Sequence, residues 1–146
     1  MNNLDFEQSS SLAELSRLAL QAKSRAYAPY SNFRVGACVE SGDGHFFSGC
    51  NVENVAYPVC QCAEATAVGK LISDASGKAG SQEIKAVYIC SDTEEPIWPC
   101  GSCRQQLAEF ASPDTIIYSE AQNGLRAQCE FSSLIPKLFS KSILKK

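Results

Sequence analysis

Ile84-Lys85-Ala86-Val87-Tyr88-Ile89-Cys90 is apolar throughout except for Lys85, the pattern of a strand buried on both faces. Such a strand needs cover above and below, so it is expected at the centre of a sheet between two helical layers. Downstream, Pro96 and Pro99 hold the chain extended. Gly101 to Ala111 then reads as a helix with Cys103, Leu107 and Phe110 on one stripe. Thr115 to Tyr118 and Leu125 to Glu130 flank the turn pair Asn123-Gly124 as two strands, and Leu134, Ile135, Leu138 and Phe139 form an apolar C-terminal segment. Upstream, Cys62 to Ser73 fits a largely buried helix, preceded by an irregular segment, Glu53 to Gln61. Phe33, Val35, Ala37 and Val39 alternate with polar or small residues, and Ser41-Gly42-Asp43-Gly44 turns the chain into His45 to Val52, giving a β-hairpin. Ser11-Leu12-Ala13-Glu14 has the form of a capping box ahead of an amphipathic helix over residues 10–27. The order is αββαβαββα, with Ser76 to Gln82 as the longest loop.

The 146 residues, 45% hydrophobic and 20% charged, suit one globular domain spanning residues 1–146, with loose ends at 1–9 and 141–146. The longest apolar run is far below the roughly 20 residues of a membrane helix. No membrane partner is expected. A net charge of -3 offers no basic footprint for a phosphate backbone, so nucleic acid is not expected either. The N-terminal Met1-Asn2-Asn3-Leu4-Asp5 lacks the basic and apolar regions of a secretory signal, which points to the cytoplasm and to reduced thiols.

Eight cysteines accompany a single histidine, His45. One imidazole excludes a His-Glu-x-x-His metal site, and no Gly-x-Ser-x-Gly elbow is present for a serine triad. A transition metal in this chain must therefore bind thiolates. Two cysteine segments lie where a loop becomes a helix: Cys62-Ala63-Glu64 and Pro99-Cys100-Gly101-Ser102-Cys103. The amide groups and dipole of a helix N-terminus favour the thiolate. Cys62, Cys100 and Cys103 supply three zinc ligands and leave a tetrahedral ion one open position for water. Glu64, two residues after a ligand, is placed to move protons beside that position.

These residues resemble the signature of the zinc-dependent nucleoside and nucleobase deaminases. Within that group the chain is similar to the small homo-oligomeric cytidine deaminases, from Ala26 to Phe139. The matching pieces are Tyr27-Ala28-Pro29-Tyr30-Ser31-Asn32-Phe33-Arg34-Val35-Gly36-Ala37, Gly49-Cys50-Asn51-Val52-Glu53-Asn54, Tyr57-Pro58, Cys62-Ala63-Glu64 and Pro99-Cys100-Gly101-Ser102-Cys103-Arg104-Gln105. The resemblance implies a three-layer α/β/α fold with a mixed sheet of about five strands. It implies one zinc ion per chain and hydrolytic deamination of cytidine and deoxycytidine in pyrimidine salvage, with Glu64 as the proton shuttle. Asn51 and Glu53 are then expected on the ribose, Ala63 on the pyrimidine edge, Phe33 on the base and Tyr57 near the substrate. Phe139 is expected to come from a neighbouring subunit, which makes the protein a homotetramer with shared active sites. Three thiolates leave zinc with a formal charge of -1, so Arg104 is expected to bond a thiolate and restore Lewis acidity. One common family pattern has Arg after Cys-Ala-Glu, where this chain has Ala65, and Trp98 stands where many relatives carry a smaller residue.

Other readings remain open at this point. Cys60, Cys62, Cys100 and Cys103 could close a four-thiolate structural site, making the chain a binding module. Cys100-Gly101-Ser102-Cys103 could be a redox pair, against which stands the lack of a recognised βαβ context. A blasticidin-type deaminase shares the zinc signature. Cys38, Cys50, Cys90 and Cys129 are expected to pack as small apolar groups, His45 to face solvent, and Phe139 could simply close its own core.

Overall fold

The computed structural model describes residues 9–144. Its centre is β3 (Ile84–Ser91), buried at every position except Lys85. The sheet has five strands in the order β2-β1-β3-β4-β5, where β1 is Val35–Ser41, β2 Phe46–Cys50, β4 Ala111–Glu120 and β5 Arg126–Glu130. β3 and β4 are parallel and every other neighbouring pair is antiparallel, so the sheet is mixed, as expected. Helices α1 (Ser10–Lys23), α2 (Ala63–Asp74) and α3 (Gly101–Ala108) and the single turn α4 (Phe131–Leu134) complete the expected order. A parallel pair needs a crossover, and α3 lies within the one joining β3 to β4.

Alternation along the strands divides the core. Cys38, Ala86, Tyr88 and Cys90 pack beneath Leu12, Leu15 and Ala19 of α1. On the other face Ala37, Val39, Val87, Ile89 and Ile117 meet Ala63, Ala67 and Leu71 of α2 and Leu107 of α3. The result is the three-layer arrangement. Two glycines set how closely the layers approach. A Cβ on Gly36 would lie 2.0 Å from the Ala19 carbonyl oxygen of α1, and one on Gly49 would lie 2.5 Å from the Ala67 nitrogen of α2. Neither position has room for a side chain.

Several boundaries differ from the sequence reading, each for a tertiary reason. α1 stops at Lys23 instead of residue 27, because Tyr27 pairs with the chain at Val52, donating to the Asn51 carbonyl and accepting from Glu53. The capping box does not form. Ser11 lies inside the helix and donates to the buried carboxylate of Glu40 at 2.6 Å, while Glu14 pairs with Arg17. α3 ends at Ala108, where Glu109 and Phe110 tighten into i−3 turns and the Phe110 carbonyl accepts from Ile84. β4 starts four residues earlier than expected, at Ala111, across a register shift where Thr115 donates its hydroxyl to the Ile84 carbonyl. The last α-helical turn, Phe131–Leu134, overlaps the expected apolar segment only at Leu134, since Pro136 cannot continue it.

His45 faces solvent beside Asp43, as expected. Of the expected loose ends, residues 1–8 and 145–146 lie outside the described residues. Lys141–Ile143 form a 3-10 turn in which Lys141 donates to the Glu109 carbonyl at 2.7 Å.

Candidate active site

Cys62 is the N-cap of α2 and Cys100 the N-cap of α3, both in extended conformation. Cys103 follows one turn into α3 and is buried. The two helix starts meet, so that the Cys62 and Cys100 sulfurs are 3.8 Å apart and all three sulfurs lie within 4.8 Å of one another. Among the described residues this is the one group of three or more metal-binding side chains. Tetrahedral zinc with bonds of about 2.3 Å needs sulfurs about 3.8 Å apart, so the donor set and its spacing fit that ion. Cys60 stands outside the group. Its sulfur accepts the Asn54 amide at 3.2 Å and lies 3.6 Å from the Asn54 carbonyl.

Electrostatics separate Cys62 from the buried thiols under α1. A hydrogen bond from Cys103 pulls the Cys62 thiol down to about 6 against the opposing effect of burial. The same bond, with burial, pushes Cys103 up. Burial pushes Cys38 up to about 12 and Cys90 up to about 11, which leaves them as packing groups under α1.

Glu64 occupies the first turn of α2 and is only 6% exposed. Burial raises its carboxyl above the ordinary glutamate value, opposed by its own backbone amide and by the Cys103 thiol. It opens into a cleft of about 420 Å³ lined also by Phe33, Asn51, Glu53, Cys62, Ala63 and Cys100. These expected site residues therefore converge, although they come from segments dispersed between residues 33 and 100.

Two of them are fixed in ways the sequence does not show. Asn51 accepts the Val35 amide at 2.8 Å and donates to the Phe33 carbonyl at 2.8 Å, so its amide clamps the strand that carries Phe33. Just ahead, Asn32 has φ 57°, a left-handed conformation that asparagine tolerates better than most residues, and the turn it makes delivers Phe33 to the cleft. The Glu53 carboxylate accepts the Tyr30 amide at 2.8 Å and the Ser31 hydroxyl. The hydroxyl bond is the main cause that holds this group below the usual carboxylate range.

Tyr57 and Phe139 lie elsewhere. Tyr57 borders an adjoining hollow with Tyr30, Ser31, Glu53 and Cys60, its ring edge-on to that of Tyr30 at 5.9 Å. Phe139 does not line the cleft of its own chain and is 62% exposed, so it does not close the core either. Its carbonyl accepts from Gln105. Arg104 differs from the expected thiolate partner. Its guanidinium donates to the Pro99 carbonyl at 2.7 Å and the Leu134 carbonyl at 2.8 Å, bracing the Pro99-Cys100 turn against the end of α4. The expectation that Cys100 and Cys103 lack a βαβ setting is also overturned, because they open the crossover between the parallel strands β3 and β4. It is the third sulfur, Cys62, that sets them apart from a simple dithiol.

Sequence reasoning did not single out Val35, Gln61, Ile97 or Trp98 as part of the cleft wall. The prolines at 96 and 99 were the available signal for the last two, since they mark a segment held in place.

Comparison with known proteins gives the family and the fold. The family model described as the cytidine and deoxycytidylate deaminase zinc-binding region matches residues 9–119. A cytidine deaminase of Sporosarcina psychrophila is 41% identical over 124 residues, covering 85% of this chain and 88% of that protein. A blasticidin-S deaminase of Bacillus cereus is 30% identical over 113 residues, covering 74% of this chain and 78% of that protein. The crystal structure of cytidine deaminase from Burkholderia pseudomallei superposes with a TM-score of 0.79 at 36% identity, covering 87% of this chain and 98% of its own. That from Mycobacterium tuberculosis gives 0.75 at 32%, covering 90% and 99%. With the matched region spanning both cysteine segments and the folds agreeing over nearly the whole of those structures, this chain belongs to the cytidine and deoxycytidylate deaminase family.

Proposed function

We propose that the protein hydrolyses cytidine and deoxycytidine to uridine and deoxyuridine with release of ammonia. The observation that carries the reading is the buried Glu64 carboxylate in one cleft with the sulfur group and with Asn51 and Glu53. Cys62, Cys100 and Cys103 would hold the zinc ion, whose contribution is Lewis acidity toward water at its fourth position. Glu64 takes a proton from the attacking water and passes it to ring N3. It then takes the remaining proton of the new C4 hydroxyl and delivers it to the amine as the C4–N bond breaks and the C4 carbonyl forms. Its burial keeps the proton on an enclosed carboxyl until transfer. Phe33 supplies an apolar face for the base, and Ala63 borders the pyrimidine edge. Asn51 has one amide hydrogen and one oxygen lone pair left after its two backbone bonds, which suit a ribose hydroxyl. Glu53, held by Ser31 and Tyr30, accepts from the same sugar.

The exposed Phe139, Tyr57 and Val55 support a homotetramer in which a neighbouring subunit covers the cleft. We place the reaction in cytoplasmic pyrimidine salvage. Among the described residues no helix is long and apolar enough to cross a membrane.

The test is zinc analysis of the purified protein together with ammonia release from cytidine, deoxycytidine and blasticidin S. Zinc near one equivalent and turnover of the two pyrimidine nucleosides are expected. Zinc-loaded protein that deaminates only blasticidin S, or none of the three, overturns the proposal.

A further inference from the structure

We infer that Trp98 determines specificity at C5 of the pyrimidine, walling the cleft where a 5-substituent would project. The inference rests on the proposed cytidine reaction and extends it. In the pyrimidine ring C4 has N3 on one side and C5 on the other, with N1 opposite. C4 must face the sulfur group, where Cys62 and Cys100 line the cleft. N3 must face Glu64 at the start of α2, because that carboxyl protonates it. N1, which bears the sugar, then points toward Asn51 and Glu53. C5 is left facing the remaining lining, made by Val35, Cys60, Gln61, Ile97 and Trp98, in which Trp98 on the segment leading into α3 is the largest side chain.

That segment is stiff. Pro96 and Pro99 bracket it, and a residue preceding proline is confined to extended conformations, so the backbone of Trp98 has little freedom. Pro99 is fully buried, and its carbonyl is held by Arg104 at 2.7 Å. Ile97 and Trp98 themselves pack against the main core. A methyl group at C5 therefore meets a large ring on a fixed segment, where a flexible loop would yield. A single misplaced methyl in a rigid pocket changes kcat/KM by roughly 10-fold or more.

The experiment measures kcat/KM for cytidine and 5-methylcytidine on the zinc-loaded enzyme and on Trp98→Ala. The wild type is expected to favour cytidine by about 10-fold or more, and Trp98→Ala to bring the ratio within about 3-fold, whatever the variant's absolute rate. Should Trp98→Ala fail to fold, Trp98→Phe replaces it, with an intermediate ratio expected. A wild-type enzyme that accepts both substrates equally, or variants that keep the wild-type ratio, overturns the inference while leaving cytidine deamination intact. Absence of turnover on cytidine itself instead overturns the proposed function. As the only tryptophan, Trp98 also offers a direct reading: uridine should change the protein's indole emission on binding. An unchanged emission at saturating uridine speaks against a ring in the base site.

Discussion

Replacing Gly49 by alanine tests whether the position of α2 limits both stability and turnover. The added Cβ would sit 2.5 Å from the Ala67 nitrogen and 2.8 Å from the Ala63 carbonyl oxygen, both backbone atoms of α2 that no rotamer change can move. Ordinary contact begins near 3.4 Å, so the helix or β2 must retreat by up to about 0.9 Å. Overpacking of this kind costs about 1 to 3 kcal/mol. For a chain of this size each kcal/mol lowers the thermal midpoint by roughly 2 to 4 °C. Where α2 is the element that gives way, Cys62, Ala63 and Glu64 are displaced relative to Cys100 and Cys103, and a misplacement near 1 Å can cost about 100-fold in rate. Gly69→Ala is the control. It lies in the same helix with nothing within 4 Å of the new carbon, so helix propensity should stabilise the protein by about 0.5 to 1 kcal/mol. Thermal denaturation at matched protein concentration and kcat/KM for cytidine are the assays. Wild-type midpoint and wild-type kcat/KM in Gly49→Ala would refute the close approach of β2 and α2 as a constraint on the site.

Glu64→Gln should lower kcat by about 100- to 10,000-fold while zinc content by metal analysis stays at the wild-type level. Burial raises the Glu64 carboxyl, so in chelator-treated protein its contribution to stability is present at low pH and is lost as pH rises through its folded-state titration. Glu64→Gln should therefore raise the denaturation midpoint of that metal-free form at pH 8, and an unchanged or lower midpoint would contradict it. Cys100→Ser should lose both zinc and activity, whereas Cys60→Ser should keep both; zinc loss in the latter would revive a four-sulfur site. Arg104→Ala removes two charge-assisted bonds and should lower stability by about 2 to 3 kcal/mol in urea titration, with reduced zinc retention on dialysis. Stability and zinc content both at wild-type levels would show that the brace is dispensable.

What could be read in the sequence was whatever depends on local pattern. Ile84 to Cys90 announces the central strand because burial on both faces leaves no polar position to disguise it. The cysteine spacing announces a metal-binding group because two ligands on one helical turn need no knowledge of the rest of the fold. Boundaries set by distant partners were hidden. The helical period of Phe110 continues past Ala108, yet the chain turns there to give its carbonyl to Ile84. Ser11 looks like a cap until Glu40, 29 residues away, claims its hydroxyl. Within the site, Glu53 and Asn51 were named, but their attachment to Ser31 and to the Phe33–Val35 backbone depends on pairing that no spacing encodes. Arg104 was assigned to a sulfur on charge alone, whereas the fold offers it two carbonyls in a better position.

Cys62 and Cys100 lie 38 positions apart in the chain and 3.8 Å apart in space. An ion bound to both would act as a removable cross-link across the loop that contains α2 and β3. Its binding energy would then count toward holding the helices together as well as toward chemistry, in the manner of a clasp that closes a long loop. The halves of the cleft would be joined most firmly in the form that is ready to react.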